Sequence, residues 1–207
     1  MSTPTLPQVR VDLPPGFAGL PISTSDEQNA AQVWALAGKV AEETGQSREE
    51  FAQYLHALTP GLAEQGVRLF GRFAVGDDNP GLATLTVAIQ AWPARPPEGF
   101  GDNPHIVAAA LAEQYRERHP GADARAIPLA IGPAMVAVEQ GEFRLPPAVT
   151  GDDEVVRPGL RIEVQIPLPD NAGLAVLSVV SGDEAQWEAV VEQTRLIANS
   201  VRVDEAC

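Results

Sequence analysis

The sequence predicts an α+β fold: an antiparallel β-sheet flanked by helices, forming an α/β/α sandwich. Three observations predict it. Segments with two-residue apolar alternation, or apolar throughout, follow one another in the last third of the chain with only turn sequences between them. Helix start signals fall near both ends and once in the middle. The strand-helix-strand alternation that a parallel sheet requires does not appear.

Taken in order, Val9–Leu13 reads as a short edge strand closed by the Pro-Gly of "LPPGF". Two capped helices follow. Ser25 with Gln28 forms a capping box ahead of Ala30, Val33, Trp34, Ala37, Val40 and Ala41, and Gly45 ends that helix. Ser47 with Glu50 starts the next, with Phe51, Tyr54, Leu55, Leu58 and Leu62 as its apolar stripe and Thr59-Pro60-Gly61 as an expected late break. Val67–Val75 and Leu82–Trp92 alternate with period two around "GDDNPG" and predict a hairpin. Asn103 caps a helix that carries Pro104 in its first turn, where a missing N–H costs nothing, and His119-Pro120-Gly121 stops it.

The last third is mostly strand. "ARAIPLAI" and "AMVAVEQGEFRL" flank Gly132-Pro133, and "GDDEVVRPG" reads as an acidic turn. In "LRIEVQIPL", Leu160, Ile162, Val164, Ile166 and Leu168 point inward while Arg161, Glu163 and Gln165 point to a solvated face. "LAVLSVV" is apolar on both sides and belongs in the middle of a sheet. Ser181 with Glu184 reads as a third capping box, before a closing helix with Trp187, Val190, Val191, Thr194, Ile197, Ala198 and Val201 at helical spacing. The predicted order is β-α-α-β-β-α-β-β-β-β-α. It is expected to form one domain over residues 1–207, with a helical pair at 25–65 between the first strand and the main sheet.

Three of these stretches carry a resemblance. "VRVDLPPGF", "LRIEVQIPL" and "GLAVLSVVSGDEAQWEAVVEQTRLIANSVRV" resemble the opening strand with its Pro-Gly turn, the closing strands and the final helix of the PsbP-like family. That family includes an extrinsic photosystem subunit, a small nuclear-import factor that binds Ran, and actinobacterial lipoproteins of the LpqN type. The resemblance implies an α/β/α sandwich and a binding or assembly role. The N-terminal lipobox cysteine of the lipoproteins is missing, and the helical pair is longer than the resemblance implies.

Composition narrows the partners. With 28 acidic residues against 14 Lys and Arg, the formal net charge is −14, and no basic stripe offsets it. Such a surface repels phosphate backbones and anionic membranes, so neither nucleic acid nor membrane is an expected partner. Hydrophobic residues at 44% and charged residues at 20% suit a globular chain. No run approaches the roughly 20 apolar residues that span a bilayer, and "MSTPTLPQVRVDLPPGF" holds no signal-peptide pattern, so a cytoplasmic location is expected. Cys207 is the single cysteine, which excludes an intrachain disulfide and a thiolate metal cluster.

The motifs of chemistry are few. His56, His105 and His119 have no second ligand at metal spacing, so no metal or other cofactor is expected. Asp77-Asp78 and Asp152-Asp153-Glu154 fall in turns without the spacing of a Ca²⁺ loop. Neither a nucleophile elbow nor a phosphate-binding glycine loop is present, and Ser178 reads as a small residue in a central strand. Trp34, Trp92 and Trp187 read as core. Trp92 also sits beside a Pro-rich segment with Arg95 and Phe100, a composition enriched at protein interfaces, and these three residues are the candidate protein-contact surface.

These features favour a non-catalytic binding or assembly protein with an unidentified protein partner. A second reading is a carrier of a small molecule or lipid, because Ala- and Val-rich faces leave space between sheet and helices. The third, an enzyme using carboxylates gathered by the fold, has no local motif behind it.

Overall fold

The computed structural model describes residues 8–23, 25–45, 47–76, 80–90, 103–145, 155–169 and 173–204. Trp92, Arg95, Phe100, Asp77, Asp78, Asp152, Asp153, Glu154 and Cys207 lie outside them.

The strands are β1 (Gln8–Arg10), β2 (Ala18–Pro21), β3 (Val67–Val75), β4 (Gly81–Gln90), β5 (Asp123–Leu129), β6 (Gly132–Leu145), β7 (Val155–Pro167), β8 (Leu174–Ser181) and β9 (Arg202–Asp204). The helices are α1 (Asp26–Thr44), α2 (Arg48–Glu64), α3 (Pro104–Arg118) and α4 (Trp187–Asn199). Seven strands form one sheet in the order β2-β3-β4-β8-β7-β6-β5, with every pair antiparallel, while β1 and β9 form a separate two-stranded ribbon. The fold is α+β, as the sequence predicts. β2, β3 and β4 meander from one edge to the centre. The chain then crosses through α3 to the far edge, and β5 to β8 meander back until β8 pairs with β4.

The alternation in β7 and the double apolarity of β8 set the core. Leu160, Ile162, Val164, Ile166 and Leu168 are each at most 3% exposed, and Leu177 and Val179 are fully buried beside them on the central strand. α4 lays Val190, Ile197 and Ala198 on this face, and Val9, Val11 and Val203 of the ribbon region pack at its margin. The opposite face is covered by three helices. α1 and α2 place Val33, Ala37, Ala52 and Leu55 over the β2–β3 side, and α3 places Val107, Leu111 and Tyr115 over β5, β6 and β7.

Two glycine positions show why the sheet's edge takes its shape. Gly66 has φ +78°, and a Cβ there would strike the carbonyl oxygen of Ile89, whose N–H donates to the Gly66 carbonyl at 2.9 Å. Gly19 pairs directly with Gly71, and the Phe17 ring lies against both, so any side chain at Gly71 would meet Gly19 Cα and the ring at 2.5 Å.

Several expectations need correction. Ala18–Pro21 is a strand of the main sheet, so the helical pair sits between two strands of that sheet and not before it. The first strand is Gln8–Arg10, shorter than the expected Val9–Leu13, and it pairs with β9, a strand beyond the last residue, Val201, assigned to the closing helix. α2 runs through Pro60 to Glu64 without a break: Thr59 is buried and donates its hydroxyl to the Leu55 carbonyl at 2.8 Å, while Ala52 and Leu55 hold the helix to the sheet. "VVRPG" belongs to β7 and not to a turn. The Ser181 capping box does not form. Ser181 ends β8 and donates its hydroxyl to the Leu82 carbonyl at 3.2 Å, and Asp183 instead caps a 3₁₀ turn, Glu184–Gln186, ahead of α4. Trp34 is 41% exposed and Tyr54 60% exposed, so neither is core. Trp187 is half-buried.

Other local readings hold. Ser25 and Ser47 accept from the backbone N–H groups of Gln28 and Glu50, and Asn103 Oδ1 accepts from the His105 N–H. Gly45 closes α1 at φ +72°, donating to the Ala41 carbonyl at 2.9 Å.

Candidate functional site

The histidines do not converge. His56 and His105 are exposed on α2 and α3, and His119 ends α3 beside Glu139, with its Nδ1 3.7 Å from a carboxylate oxygen. Among the described residues no group of three His, Cys, Asp or Glu side chains is arranged to hold a metal ion. Ser178 lies half-buried in the middle of β8.

The three-helix face has a graded cover. At one end of the sheet Ala88, Val176 and Gln165 are buried under the helices. Two residues on, at Thr86, Ser178 and Glu163, and again at Thr84, Val180 and Arg161, the same strands are only half-buried. A row of directly paired residues crosses six strands there: Ala18, Arg72, Thr84, Val180, Arg161 and Glu139. The expectation that Arg161, Glu163 and Gln165 face solvent holds only in part, because Gln165 is buried and Arg161 and Glu163 are half-buried.

At the β5–β7 side of this row stands Tyr115. It is 2% exposed, its ring stacks on His119 with centroids 4.3 Å apart and planes 18° from parallel, and its hydroxyl has no hydrogen-bond partner among the described residues. Burial pushes the phenol up to about 12; the Glu163 and Glu139 carboxylates add to the rise, and Arg161 and Arg118 oppose it.

At the β2–β3 side lies a cavity of about 370 Å³. Its floor is Leu20 and Phe70 of the sheet, and its walls are Leu36 and Val40 of α1 with Phe51, Tyr54 and Leu55 of α2. The space has a local cause. Val33 and Ala37 of α1, with Ala52 and Leu55 of α2, are closed onto the sheet, whereas Leu36, Val40, Phe51 and Phe70 remain half-buried. Ala18, directly paired with Arg72, is too small to fill the rim. Tyr54 stands at the mouth, and Arg72 is the one charged residue among the described lining. Phe51 and Tyr54 also line a shallower depression with Ser47 and Glu50 at the start of α2.

No protein family, curated protein or solved structure matches the chain. Among the described residues no helix is long and apolar enough to cross a membrane.

Sequence reasoning did not locate this cavity. Four of its lining residues, Val40, Phe51, Tyr54 and Leu55, belong to the apolar stripes that the helical spacing predicts, and that spacing shows which residues share a face but not how far the face is covered. The one available signal is the aromatic pair Phe51 and Tyr54 on the stripe of α2.

Proposed function

We propose that the chain is a binding protein without chemistry of its own, and that it holds a small, largely apolar molecule between α1–α2 and β2–β3. A single observation carries this reading: a cavity of about 370 Å³ lined by Leu20, Leu36, Phe51, Leu55 and Phe70. That volume lies within the roughly 300–1,000 Å³ of typical small-molecule sites. A protein partner met through Trp92, Arg95 and Phe100 belongs to the same binding class, as does membership of the PsbP-like family. The latter is supported by the Pro-Gly turn after the first strand and the polar turn ahead of Trp187.

The test is a titration with the neutral fluorescent probe N-phenylnaphthylamine. Saturable binding is expected, and it should be lost in Leu36→Trp, where the indole fills the cavity, with the circular dichroism spectrum unchanged. A wild-type protein showing no saturable uptake, or a Leu36→Trp variant binding as well as wild type, overturns the reading.

A further inference from the structure

The position of Arg72 says more about the ligand. Arg72 stands in the interior of β3, a nine-residue strand paired on both sides, so its backbone is fixed. Its direct neighbours on the cavity face are Ala18 and Thr84. None of β2, β3 and β4 contains an acidic residue. Among the described strands, the first carboxylate met on this face lies three strands away, Glu163 on β7, so at least roughly 14 Å distant at the usual strand spacing.

Several other arginines are engaged. Arg10 pairs with Asp204 at 2.7 Å, Arg202 with Asp12 at 2.9 Å and Arg195 with Glu192 at 2.6 Å, while Arg48 lies over the Trp34 ring. In a chain where 28 acidic residues face 14 cations, an arginine at an apolar opening with no ion pair among the described residues is available to a ligand. Arg72 makes no ion pair or hydrogen bond among the described residues.

The anion it suits is limited by the same charges. One guanidinium presents one fork, which matches one carboxylate with two parallel hydrogen bonds. A phosphate dianion would leave a second charge unmet on a surface of net charge −14. The cavity interior has no donor or cation to receive a second polar group, since its described walls beyond Tyr54 and Arg72 are apolar side chains and the glycines Gly19 and Gly71.

We infer that the cavity takes a small monoanion with an apolar body, a free medium-chain carboxylate, with its tail between Leu36, Phe51 and Phe70 and its head on Arg72. The inference rests on the small-molecule reading above.

Calorimetric titration with octanoate, octanol and octylammonium tests both separately. Octanoate is expected to bind several-fold tighter than octanol, the size of preference that a charge-assisted pair with an exposed guanidinium at the cavity mouth supplies. Octylammonium should bind more weakly than octanol. Arg72→Gln should remove the preference for octanoate over octanol, and Arg72→Lys should keep part of it. Equal binding of octanoate and octanol by the wild type overturns the carboxylate inference while the cavity reading stands, and so does an octanoate preference that survives Arg72→Gln. If none of the three compounds binds, the carboxylate inference falls, and the small-molecule reading falls with it where N-phenylnaphthylamine shows no saturable uptake.

Discussion

Replacing Tyr115 by Phe should stabilise the protein. The ring is 2% exposed and stacked on His119 at 4.3 Å, and Phe keeps both features. Only the hydroxyl oxygen is lost, an atom that is inaccessible and without a hydrogen-bond partner among the described residues. Burying such a group unpaired costs about 1–3 kcal/mol. The void that its removal leaves is smaller than a methyl group and returns less than about 1 kcal/mol of that gain. The net expectation is about 1 kcal/mol of added stability, or a rise in Tm of about 2–4 °C for a chain of this length. Reversible urea unfolding at 25 °C and pH 7, followed by far-ultraviolet circular dichroism, measures it. A loss of 1 kcal/mol would refute the reasoning, because it would mean that the phenol donates to Glu163 or Glu139. Titration adds a second arm. In a Tyr54→Phe background Tyr115 is the only phenol, since the chain has two tyrosines, and its absorbance change should centre near pH 12. The folded value exceeds the unfolded value of 10, so the protonated phenol's contribution is complete below pH 10 and is lost as pH rises to about 12. Over that window stability should fall by up to about 1.4 kcal/mol per pH unit, and Tyr115→Phe should lack this slope.

Gly71→Ala should cost about 1–3 kcal/mol, because its Cβ would sit 2.5 Å from Gly19 Cα and from the Phe17 ring. Thermal unfolding of the single variants and of Gly71→Ala with Phe17→Ala should show a double variant less impaired than the sum, since removing the ring vacates part of the space. Asn29→Ala should cost about 1–3 kcal/mol: its side chain accepts from the Ser23 N–H at 2.8 Å and donates to the Ser23 carbonyl at 2.9 Å, and both backbone groups would lose their partner. Chemical denaturation reads it directly. Octanoate at saturation should slow amide hydrogen exchange in α1 and α2 and leave sub-global exchange in α3 unchanged; uniform slowing across all helices would place the ligand elsewhere.

Much of the sheet was legible because its signals are local and doubled. In β7 the period-two pattern faces one continuous apolar layer, and in β8 apolar residues on both faces mark the central strand of seven. Capped helix starts at Ser25, Ser47 and Asn103 could be read for the same reason, since a short side chain and a nearby N–H suffice. The misses have long-range causes. β2 is four residues long and holds a glycine and a proline, and it becomes a strand through Gly71 and Phe17. Ser181 stands at capping-box spacing, yet its hydroxyl goes to Leu82, 99 residues away in sequence. Pro60 stops a helix in isolation, but here packing of Ala52, Leu55 and Thr59 carries α2 past it. The cavity required all of this at once: a strand the sequence does not announce and two helices whose stripes are only partly covered.

The uneven cover of the sheet explains why the cavity sits at its edge. On the α4 face Phe73, Leu85, Leu177 and Val179 are at most 1% exposed, and they span β3, β4 and β8 in one continuous layer. The opposite face is built from two separate pieces, α1–α2 over β2–β3 and α3 over β5–β7, which meet only where Ala88, Leu174 and Val176 are buried. Strand rigidity is therefore supplied from the α4 side, and the three-helix side is free to be incompletely packed. An unfilled space in the first layer would remove contacts that hold the whole sheet together. The same space beneath α1–α2 removes only part of one helical pair's contacts with an edge strand. A site there can gain or lose an occupant while the central strands keep their register, which is the property a binding protein needs from its scaffold.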